Sequence, residues 1–378
     1  MIATRRRLLT GLAAVPVAGA LPRLAFAQDG AQADAVLEQV FAAAAPPAMA
    51  AAIVTADGVS WSGVRGVRRD GEADLATLQD HWHLGSNTKA MTAAVFARLI
   101  EQGRARWAMP LAEAFPDLTV DPAWGQTTLD DLMHHRAGLL DQSVLGRDWL
   151  IAARIDPRSL PDQRMALARS ALAAPPQVPR GTFAYGNANY ILLGAAIERI
   201  TGGSWEDAMR AELYGPLNLA SAGFGPPPGR DNPWAHRTVG EQRTPVPPEH
   251  PGADNPAALG PAGTAHMTLD DYARFVSAIM GGASGWLSAD SLARLTTPPA
   301  GDPPAYACGW IVRDQPWAGV GGPGPVLGHD GSNTLWHCTV VAAPQRRRAV
   351  LVLTNDGPTG RAACQAAVQG LIPVAFAA

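Results

Sequence analysis

Lysine is almost absent from this chain. Of its 30 lysine and arginine residues, only Lys89 is a lysine, and every other basic side chain is an arginine. A guanidinium stays protonated in proteins, whereas a buried ammonium can give up its proton. The single lysine therefore predicts a task that arginine cannot perform, which is to accept a proton. Ser86 stands three residues before it, in the run SNTK.

Cysteine is also scarce, and the spacings typical of metal sites are missing. The three cysteines, Cys308, Cys338 and Cys364, do not make a disulfide framework; buried thiols are the favoured reading, with one bridged pair as an alternative. No Cys-x-x-Cys or His-Glu-x-x-His spacing occurs, so the sequence predicts neither a metal nor another cofactor. No Gly-x-Ser-x-Gly elbow occurs either, which excludes an α/β-hydrolase.

The chain has no excess of positive charge. Its formal net charge is −3, and it carries no basic stripe or nucleic-acid-reading motif, which argues against a nucleic-acid partner. A hydrophobic content of 47% with 17% charged residues is typical of a soluble globular protein with a sizeable core.

The first residues predict an export signal rather than part of the fold. The run TRRRLL at residues 4–9 has twin arginines, an apolar stretch follows over 8–21, and AFA at 25–27 resembles a cleavage site. The apolar stretch is short and broken by proline, which disfavours a transmembrane anchor. We therefore expect residues 1–27 to be a twin-arginine-type signal peptide. The mature protein would then be periplasmic or secreted, with no stable membrane anchor.

Strand patterns occur at both ends of the chain. An N-terminal hairpin is predicted over 48–56 and 59–67 around the turn Asp57-Gly58. Further short strands are predicted at 306–312, 326–329, 335–342 and 349–354, and helices at 33–45, 86–103 and 362–371. The simplest architecture joins both sets of strands in one antiparallel sheet covered by helices, an α/β (α+β) fold.

The middle of the chain is predicted to be mostly helical. Capping pairs start three helices, and these pairs are Thr128 with Asp131, Ser204 with Asp207, and Thr268 with Asp271. Another helix is predicted from Asn187 to Ile200. Residues 223–263 are rich in proline and glycine and are predicted to be long surface loops beside a cleft. The resulting division is a discontinuous sheet domain, 33–104 plus 300–378, with a mainly helical domain, 105–299, inserted.

The spacing of Ser86 and Lys89 suits nucleophilic catalysis. Positions three apart lie on one face of a helix, so the two side chains can meet. A serine at a helix start also lies near free backbone N–H groups, which favour a developing alkoxide. Serine needs an adjacent base to act as a nucleophile, and a neutral Lys89 amine would be that base.

Two later motifs accompany this pair, namely YGN at 185–187 and GHDGS at 328–332. With them the chain resembles the serine β-lactamase and penicillin-binding superfamily, in particular its class C branch. The pattern there is Ser-x-x-Lys, Tyr-x-Asn and Lys/His-x-Gly in this order. LMHHRAGL at 132–139 is similar to the family's LLxHxSGL segment, and the resemblance covers roughly 35–370. It implies a β-lactamase-like antiparallel sheet flanked by helices with an inserted helical domain.

The resemblance also implies roles for single residues. Ser86 would be the nucleophile that becomes acylated, and Lys89 with Tyr185 would move its proton. Asn187 would donate a hydrogen bond to the substrate acyl group or contact Lys89. The backbone N–H groups of Ser86 and Ser332 would form the oxyanion hole.

The third motif departs from the pattern of enzymes that bind a substrate carboxylate, which usually have Lys-Thr-Gly or His-Thr-Gly. The resemblance places His329 across the cleft from Ser86, and Asp330 and Gly331 beside the substrate. An Asp330 that faced the cleft would repel a carboxylate, and one turned away would leave it without a hydroxyl partner. Either case favours neutral esters or amides as small-molecule or peptide-like acyl substrates. We therefore expect a serine hydrolase that works through an acyl-enzyme.

Two alternatives stay open at this point. The first is another reaction on the same fold, by a D,D-carboxypeptidase or a β-lactamase. The second is a non-catalytic periplasmic binding protein. A metal site is not predicted at His81, His83, His134 and His135, because no acidic residue has suitable spacing near them.

Overall fold

The computed structural model describes residues 21–240, 242–283 and 285–377. Most of the predicted export signal at 1–27 lies outside these described residues, and its role stays a prediction. The first described helix, α1, spans Leu21–Ala44 and agrees with the helix predicted over 33–45. Among the helices in these ranges, none is long and apolar enough to cross a membrane.

The N-terminal and C-terminal strands share one antiparallel sheet, as predicted. The described strands are β1 Ala48–Thr55, β2 Gly58–Gly66, β3 His81–His83, β4 Gly223–Phe224, β5 Ala235–Val239, β6 Gln242–Val246, β7 Ala265–Thr268, β8 Ile311–Gln315, β9 Gly324–Ser332, β10 His337–Ala343 and β11 Arg348–Thr354. Six of them form the main sheet in the order β2-β1-β11-β10-β9-β8. The first strand pairs with the last, so Met49 lies opposite Thr354 and Val54 opposite Ala349. A smaller sheet has the order β3-β7-β4, and β5 and β6 form a hairpin.

Helices cover both faces of the main sheet. After α1 they are α2 Thr88–Glu101, α3 Leu111–Ala114, α4 Leu129–Met133, α5 Arg147–Ala152, α6 Leu160–Ala173, α7 Asn187–Thr201, α8 Trp205–Met209, α9 Gly260–Gly263, α10 Leu269–Ile279, α11 Ala289–Thr296 and α12 Gly360–Ala375. On one face Met49 and Val352 pack against α1 and α12, and on the other Ala50 and Leu353 join the core that contains α2, α7 and α10. Because both faces are buried, β1 is a continuous apolar run without alternation.

The predicted caps are present. Thr128 and Asp131 form a reciprocal capping box at α4, and the Ser204 and Thr268 side chains cap α8 and α10. Helix α7 begins at Asn187, as predicted. The proposed division into a discontinuous sheet domain and an inserted helical domain stays a prediction.

Two sequence-based expectations are wrong. The strand predicted over 306–312 starts only at Ile311, because residues 307–310 turn back through a hydrogen bond from the Ala307 N–H to the Trp310 carbonyl. Gly309 makes this turn with φ +88°, and a methyl group on it would lie 2.4 Å from the backbone nitrogen of Ala90, at the start of α2.

Residues 223–263 are not simply surface loops. They contain β4, the β5–β6 hairpin and α9, and α9 is buried between α2 and α7. Thr92 Oγ1 of α2 donates to the Pro261 carbonyl at 2.8 Å. A methyl group on Gly194 of α7 would lie 2.3 Å from the Pro261 ring, so glycine permits this close packing.

Candidate active site

The SNTK run forms the turn that joins β3 to α2. Gly85–Asn87 is a short 3-10 turn, and α2 follows it directly from Thr88. Lys89 therefore lies in the first turn of the helix, where its side chain is fully buried. Its Nζ is 3.0 Å from Ser86 Oγ, so the predicted contact between the two side chains is present.

Lys89 has three hydrogen-bond partners. Its Nζ contacts Ser86 Oγ, the Asn187 Oδ1 at 2.8 Å and the Ala262 carbonyl at 2.7 Å. An ammonium has three donors and no acceptor, so it fills all three contacts as a donor. A neutral amine keeps two donors for Asn187 and Ala262, and its lone pair then faces the Ser86 hydroxyl. The same geometry thus serves both states of the amine, before and after transfer of a proton.

Tyr185 lies beside Lys89 at the start of α7. The centre of its ring is 4.9 Å from Lys89 Nζ, and 44% of the residue is exposed. The ring also packs against His135, with the ring centres 4.4 Å apart. His135 Nδ1 also accepts a hydrogen bond from the Gly186 N–H, which fixes the backbone next to the tyrosine.

His329 faces the same site, but as a neutral ring. Its Nδ1 lies 2.7 Å from the Asp330 carbonyl, which only accepts, so Nδ1 carries the proton. Its Nε2 therefore accepts from the Tyr306 hydroxyl at 3.1 Å. Burial, together with the charge of Lys89, lowers the pKa of His329 to about 4. At neutral pH this side chain is an occupied hydrogen-bond acceptor and not a cation for a substrate carboxylate.

The side chain of Asp330 points away from this site, which corrects the expectation that it lies beside the substrate. Successive side chains of a strand face opposite sides of the sheet, and His329 already takes the side of Lys89. Asp330 Oδ1 accepts from Thr339 Oγ1 at 2.6 Å and from His337 Nε2 at 3.3 Å. Burial raises the pKa of Asp330, but the hydrogen bonds from His337 and Thr339 outweigh it and keep that pKa below its usual range. The carboxylate is thus an anion on the α12 face of the sheet.

Gly331 and Ser332 bring the end of β9 against the Gly85–Asn87 turn that contains Ser86. A methyl group on Gly331 would lie 1.9 Å from the Leu84 carbonyl oxygen, and one on Gly85 would lie 2.2 Å from the Ser332 nitrogen. Only glycine allows two backbones to come this close. The Ser332 side chain turns away and donates to the Trp336 carbonyl at 2.6 Å. Gly331 therefore contributes close backbone packing, and the oxyanion hole of Ser86 and Ser332 stays a prediction.

Comparison with known proteins identifies the family of this chain. A family model described as Beta-lactamase matches residues 33–372. This chain belongs to the Beta-lactamase family. As a member of that family, it is a hydrolase.

Two known proteins are similar to this Beta-lactamase family member over 82% of its length. Penicillin-binding protein 4 of Amycolatopsis lactamdurans is 27% identical over 325 residues, which cover 82% of this chain and 81% of the relative. Unguisins hydrolase ungD of Aspergillus violaceofuscus is 25% identical over 353 residues, which cover 82% of this chain but only 58% of the relative.

Solved structures share the fold at lower identity. The octameric penicillin-binding protein homologue from Pyrococcus abyssi superimposes with a TM-score of 0.73 at 20% identity, over 90% of this chain and 76% of that one. The D-amino acid amidase from Ochrobactrum anthropi SV3 also gives 0.73, at 18% identity over 92% and 98%.

Sequence reasoning missed several residues around this Beta-lactamase family site. Asp141 accepts hydrogen bonds from the backbone N–H groups of Asn187 and Ala188, at 2.9 and 2.8 Å, and so caps α7 from another segment. It also lies 3.3 Å from Asn187 Nδ2. Because the carboxylate only accepts and Lys89 donates, the orientation of the Asn187 amide is fixed between them. A cap supplied by a distant segment leaves no local pattern in the sequence.

Tyr306 was missed for a different reason, because it was assigned to a predicted strand and not to the site. It is fully buried, and burial raises the pKa of its hydroxyl well above the usual value, so the group stays a donor to His329.

The four histidines weighed above as metal ligands serve other contacts or lie apart. Within the described ranges no group of three or more His, Cys, Asp or Glu residues is arranged to hold a metal ion.

Proposed function

We propose that this chain is a serine hydrolase that cleaves ester or amide bonds through an acyl-enzyme on Ser86. The observation that carries the proposal is the surroundings of Lys89. The only lysine of the chain is fully buried, lies 3.0 Å from Ser86 Oγ, and has an amide oxygen and a backbone carbonyl as its other partners. No carboxylate contacts its Nζ in the described residues.

The first half of the proposed reaction acylates the enzyme. Ser86 Oγ attacks the substrate carbonyl carbon, a C–O bond forms, and the hydroxyl proton passes to the neutral Lys89 amine. The oxygen of the tetrahedral intermediate takes the negative charge and accepts hydrogen bonds from the backbone N–H groups of Ser86 and Ser332. The bond to the leaving alcohol or amine then breaks. The leaving group takes up the proton that the Lys89–Tyr185 pair holds.

The second half releases the acyl group. Water attacks the ester on Ser86 and gives a proton to the Lys89–Tyr185 pair, and a second tetrahedral intermediate forms in the same oxyanion hole. Its collapse breaks the Ser86–acyl bond and returns the proton to Ser86 Oγ. The products of this half are a carboxylic acid and the free enzyme.

The surroundings of the third motif support an uncharged substrate. A substrate carboxylate would find a neutral His329 whose Nε2 is occupied by Tyr306. The next residue, Asp330, is a carboxylate on the other face of the sheet, so it supplies no hydroxyl donor. We therefore propose esters or amides without a neighbouring carboxylate. The D-amino acid amidase among the similar proteins supports amide bonds as candidates, and the penicillin-binding relative keeps a D,D-carboxypeptidase or β-lactamase as the second candidate.

The decisive experiment compares the chain with its Ser86→Ala variant. We expect wild-type protein to hydrolyse p-nitrophenyl acetate and to react covalently with a fluorophosphonate, and Ser86→Ala to do neither while melting at the same temperature. A matched pair of amides, with and without a terminal carboxylate, separates the two candidates, since we expect the carboxylate to lower kcat/KM at least about tenfold. Faster turnover of the carboxylate-bearing amide would favour the peptidase. Wild-type protein that neither turns over nor labels would favour the non-catalytic binding protein.

Export to the periplasm or medium is part of the proposal and rests on residues 1–27 alone. Its test is the location and the N-terminal mass of the protein in a bacterial host. A variant with Arg5 and Arg6 both changed to Lys should stay in the cytoplasm with an unprocessed N-terminus. Export of that variant would contradict the twin-arginine route.

A further inference from the structure

Asp254 is a buried carboxylate that joins two segments beside Ser86. It lies between the β5–β6 hairpin and α9, and only 8% of it is exposed. Its Oδ2 is 2.8 Å from His83 Nε2, and its Oδ1 is 2.8 Å from Asn333 Nδ2. Oδ1 also accepts from the Asn255 N–H at 2.7 Å. Both oxygens are thus occupied, and each serves a different segment.

The first of these contacts leads to the Gly85–Asn87 turn that contains Ser86. His83 Nδ1 accepts a hydrogen bond from the Gly85 N–H at 3.1 Å, so this nitrogen is without a proton. The proton of the neutral ring must then be on Nε2, which donates to Asp254. His83 is 1% exposed, and no solvent competes with this contact. Through His83, Asp254 therefore holds the Leu84–Gly85 peptide, one peptide before the one that carries the Ser86 N–H.

The second contact leads to the end of β9. Asn333 directly follows Ser332, and its Oδ1 accepts from the N–H groups of Leu335 and Trp336, both at 3.1 Å. Its Nδ2 therefore faces Asp254, and this orientation of the amide is fixed because a carboxylate only accepts. Asp254 thus also fixes the turn immediately after Ser332.

We propose that Asp254 is a positioning residue that sets the distance between the two halves of the oxyanion hole. The inference rests on the proposed function, in which the backbone N–H groups of Ser86 and Ser332 hold the oxyanion. Donors stabilise a transition state only when they lie about 2.7–3.1 Å from the oxyanion, so a small shift of either segment lowers the rate. Asp254 acts on one segment through His83 and on the other through Asn333, so a single carboxylate ties the two together.

The hydrogen-bond pattern requires an acid at position 254. Three donors converge on the two oxygens, from His83, Asn333 and Asn255. An amide would turn its NH2 group toward at least one of these donors, whichever way it is oriented. Asp254→Asn therefore keeps the shape of the side chain but breaks at least one contact.

The test measures ester turnover together with the affinity for phenylboronic acid, which bonds to a nucleophilic serine as a tetrahedral adduct. For Asp254→Asn we expect kcat for p-nitrophenyl acetate to fall about 10- to 100-fold, with KM changed less than about threefold. The boronic acid should lose affinity by a similar factor. The double variant D254N/N333D restores a donor opposite an acceptor at the second contact, and we expect it to recover a large part of kcat.

Asp271→Asn is the matched control. Asp271 is also buried, and it serves the Ser221 N–H and Arg274 at the start of α10. We expect this variant to lose stability without the selective fall in kcat. If Asp254→Asn does not fold, Asn333→Ala removes the second contact, together with the hydrogen bonds that Asn333 accepts from Leu335 and Trp336, and leaves the first contact in place. It should lower kcat with KM unchanged.

The outcomes separate the two levels of the proposal. Wild-type kcat and boronate affinity in Asp254→Asn, or a loss that only matches the Asp271→Asn control, would overturn the positioning role and leave the hydrolase intact. A wild-type protein with no Ser86-dependent turnover and no boronate binding would overturn the proposed function and this inference with it.

Discussion

The carboxylate of Asp141 occupies the space that a side chain at position 186 would need. A methyl group on Gly186 would lie 2.8 Å from Asp141 Oδ1. The backbone of Gly186 is extended, with φ −157°, so its conformation does not itself require glycine. The middle residue of the YGN motif is thus small because Asp141 approaches there, and this approach holds both the start of α7 and the Asn187 amide.

We predict that Gly186→Ala and Asp141→Asn damage the same function. Gly186→Ala displaces the Asp141 carboxylate. Asp141→Asn places an NH2 group opposite one of the backbone N–H groups whose hydrogen bonds the carboxylate accepts. Each change should lower kcat for p-nitrophenyl acetate about tenfold, because the Asn187 oxygen is no longer held on Lys89. Each should also cost about 1 kcal/mol of unfolding free energy, which is typical of a lost helix cap and measurable by urea titration.

Gly203→Ala is the control for this prediction, because a methyl group there would meet no atom closer than 3.9 Å. It should leave both kcat and stability close to wild type. In an Asn187→Ala background, Asp141→Asn should have no further effect on kcat but should still lower stability. Additive losses of kcat in this double variant would contradict a role of Asp141 through Asn187.

Replacement of the single lysine tests whether its task is proton transfer. Lys89→Arg keeps a positive charge near Ser86 but cannot accept a proton, so we expect kcat/KM to fall at least about 1000-fold. Lys89→Met, which removes the charge and nearly preserves the volume, should fall by a similar factor. Both must be compared at equal folded fraction, checked by thermal melting. A Lys89→Arg enzyme with wild-type turnover would show that a charge, rather than a base, is needed.

The part of this site that sequence could predict is the part built from local spacing. Ser86 and Lys89 meet because they stand three positions apart on a helical turn, and α7 begins where its polar start was expected. The partners from other segments have no such signature. A backbone carbonyl such as that of Ala262 has no residue type to recognise, and Asp141 and Asp254 reach the site only after the chain has folded.

The position of Asp330 shows how an element boundary decides a functional interpretation. The sequence predicts a strand that ends at His329, which leaves the next residue in a turn with no defined direction. In the structure β9 continues to Ser332, so the alternation of side chains also continues. His329 then faces Lys89, and Asp330 faces α12. A difference of three residues at one strand end therefore left the direction of Asp330 open in the sequence analysis.

A buried ion cluster holds the segment that supplies the Ala262 carbonyl. We predict that removal of its cation lowers the free energy of unfolding. Arg164 is fully buried between Glu198 and Glu206, and its guanidinium also donates to the carbonyls of residues 257 and 258. Arg164→Leu leaves two acids without their cation, which typically costs about 3–5 kcal/mol. Urea denaturation should show this loss, and the exposed pair variant Arg210→Leu should change stability by less than about 1 kcal/mol. Equal stability of the two variants would contradict the prediction.

The buried neutral histidines predict that the protein loses stability in mild acid. Burial lowers the pKa of His329 and of His266 from 6.5 to about 4, so in the folded state both rings stay neutral where the unfolded chain binds protons. Their contribution is therefore fully present above about pH 6.5 and is lost as the pH falls toward 4, by up to about 3 kcal/mol for each ring. Urea titrations between pH 8 and 4 should show this decline. His329→Gln should flatten it, whereas His250→Gln at an exposed site should not. A pH profile of stability that is the same in wild type and His329→Gln would mean that His329 does not stay neutral in the fold.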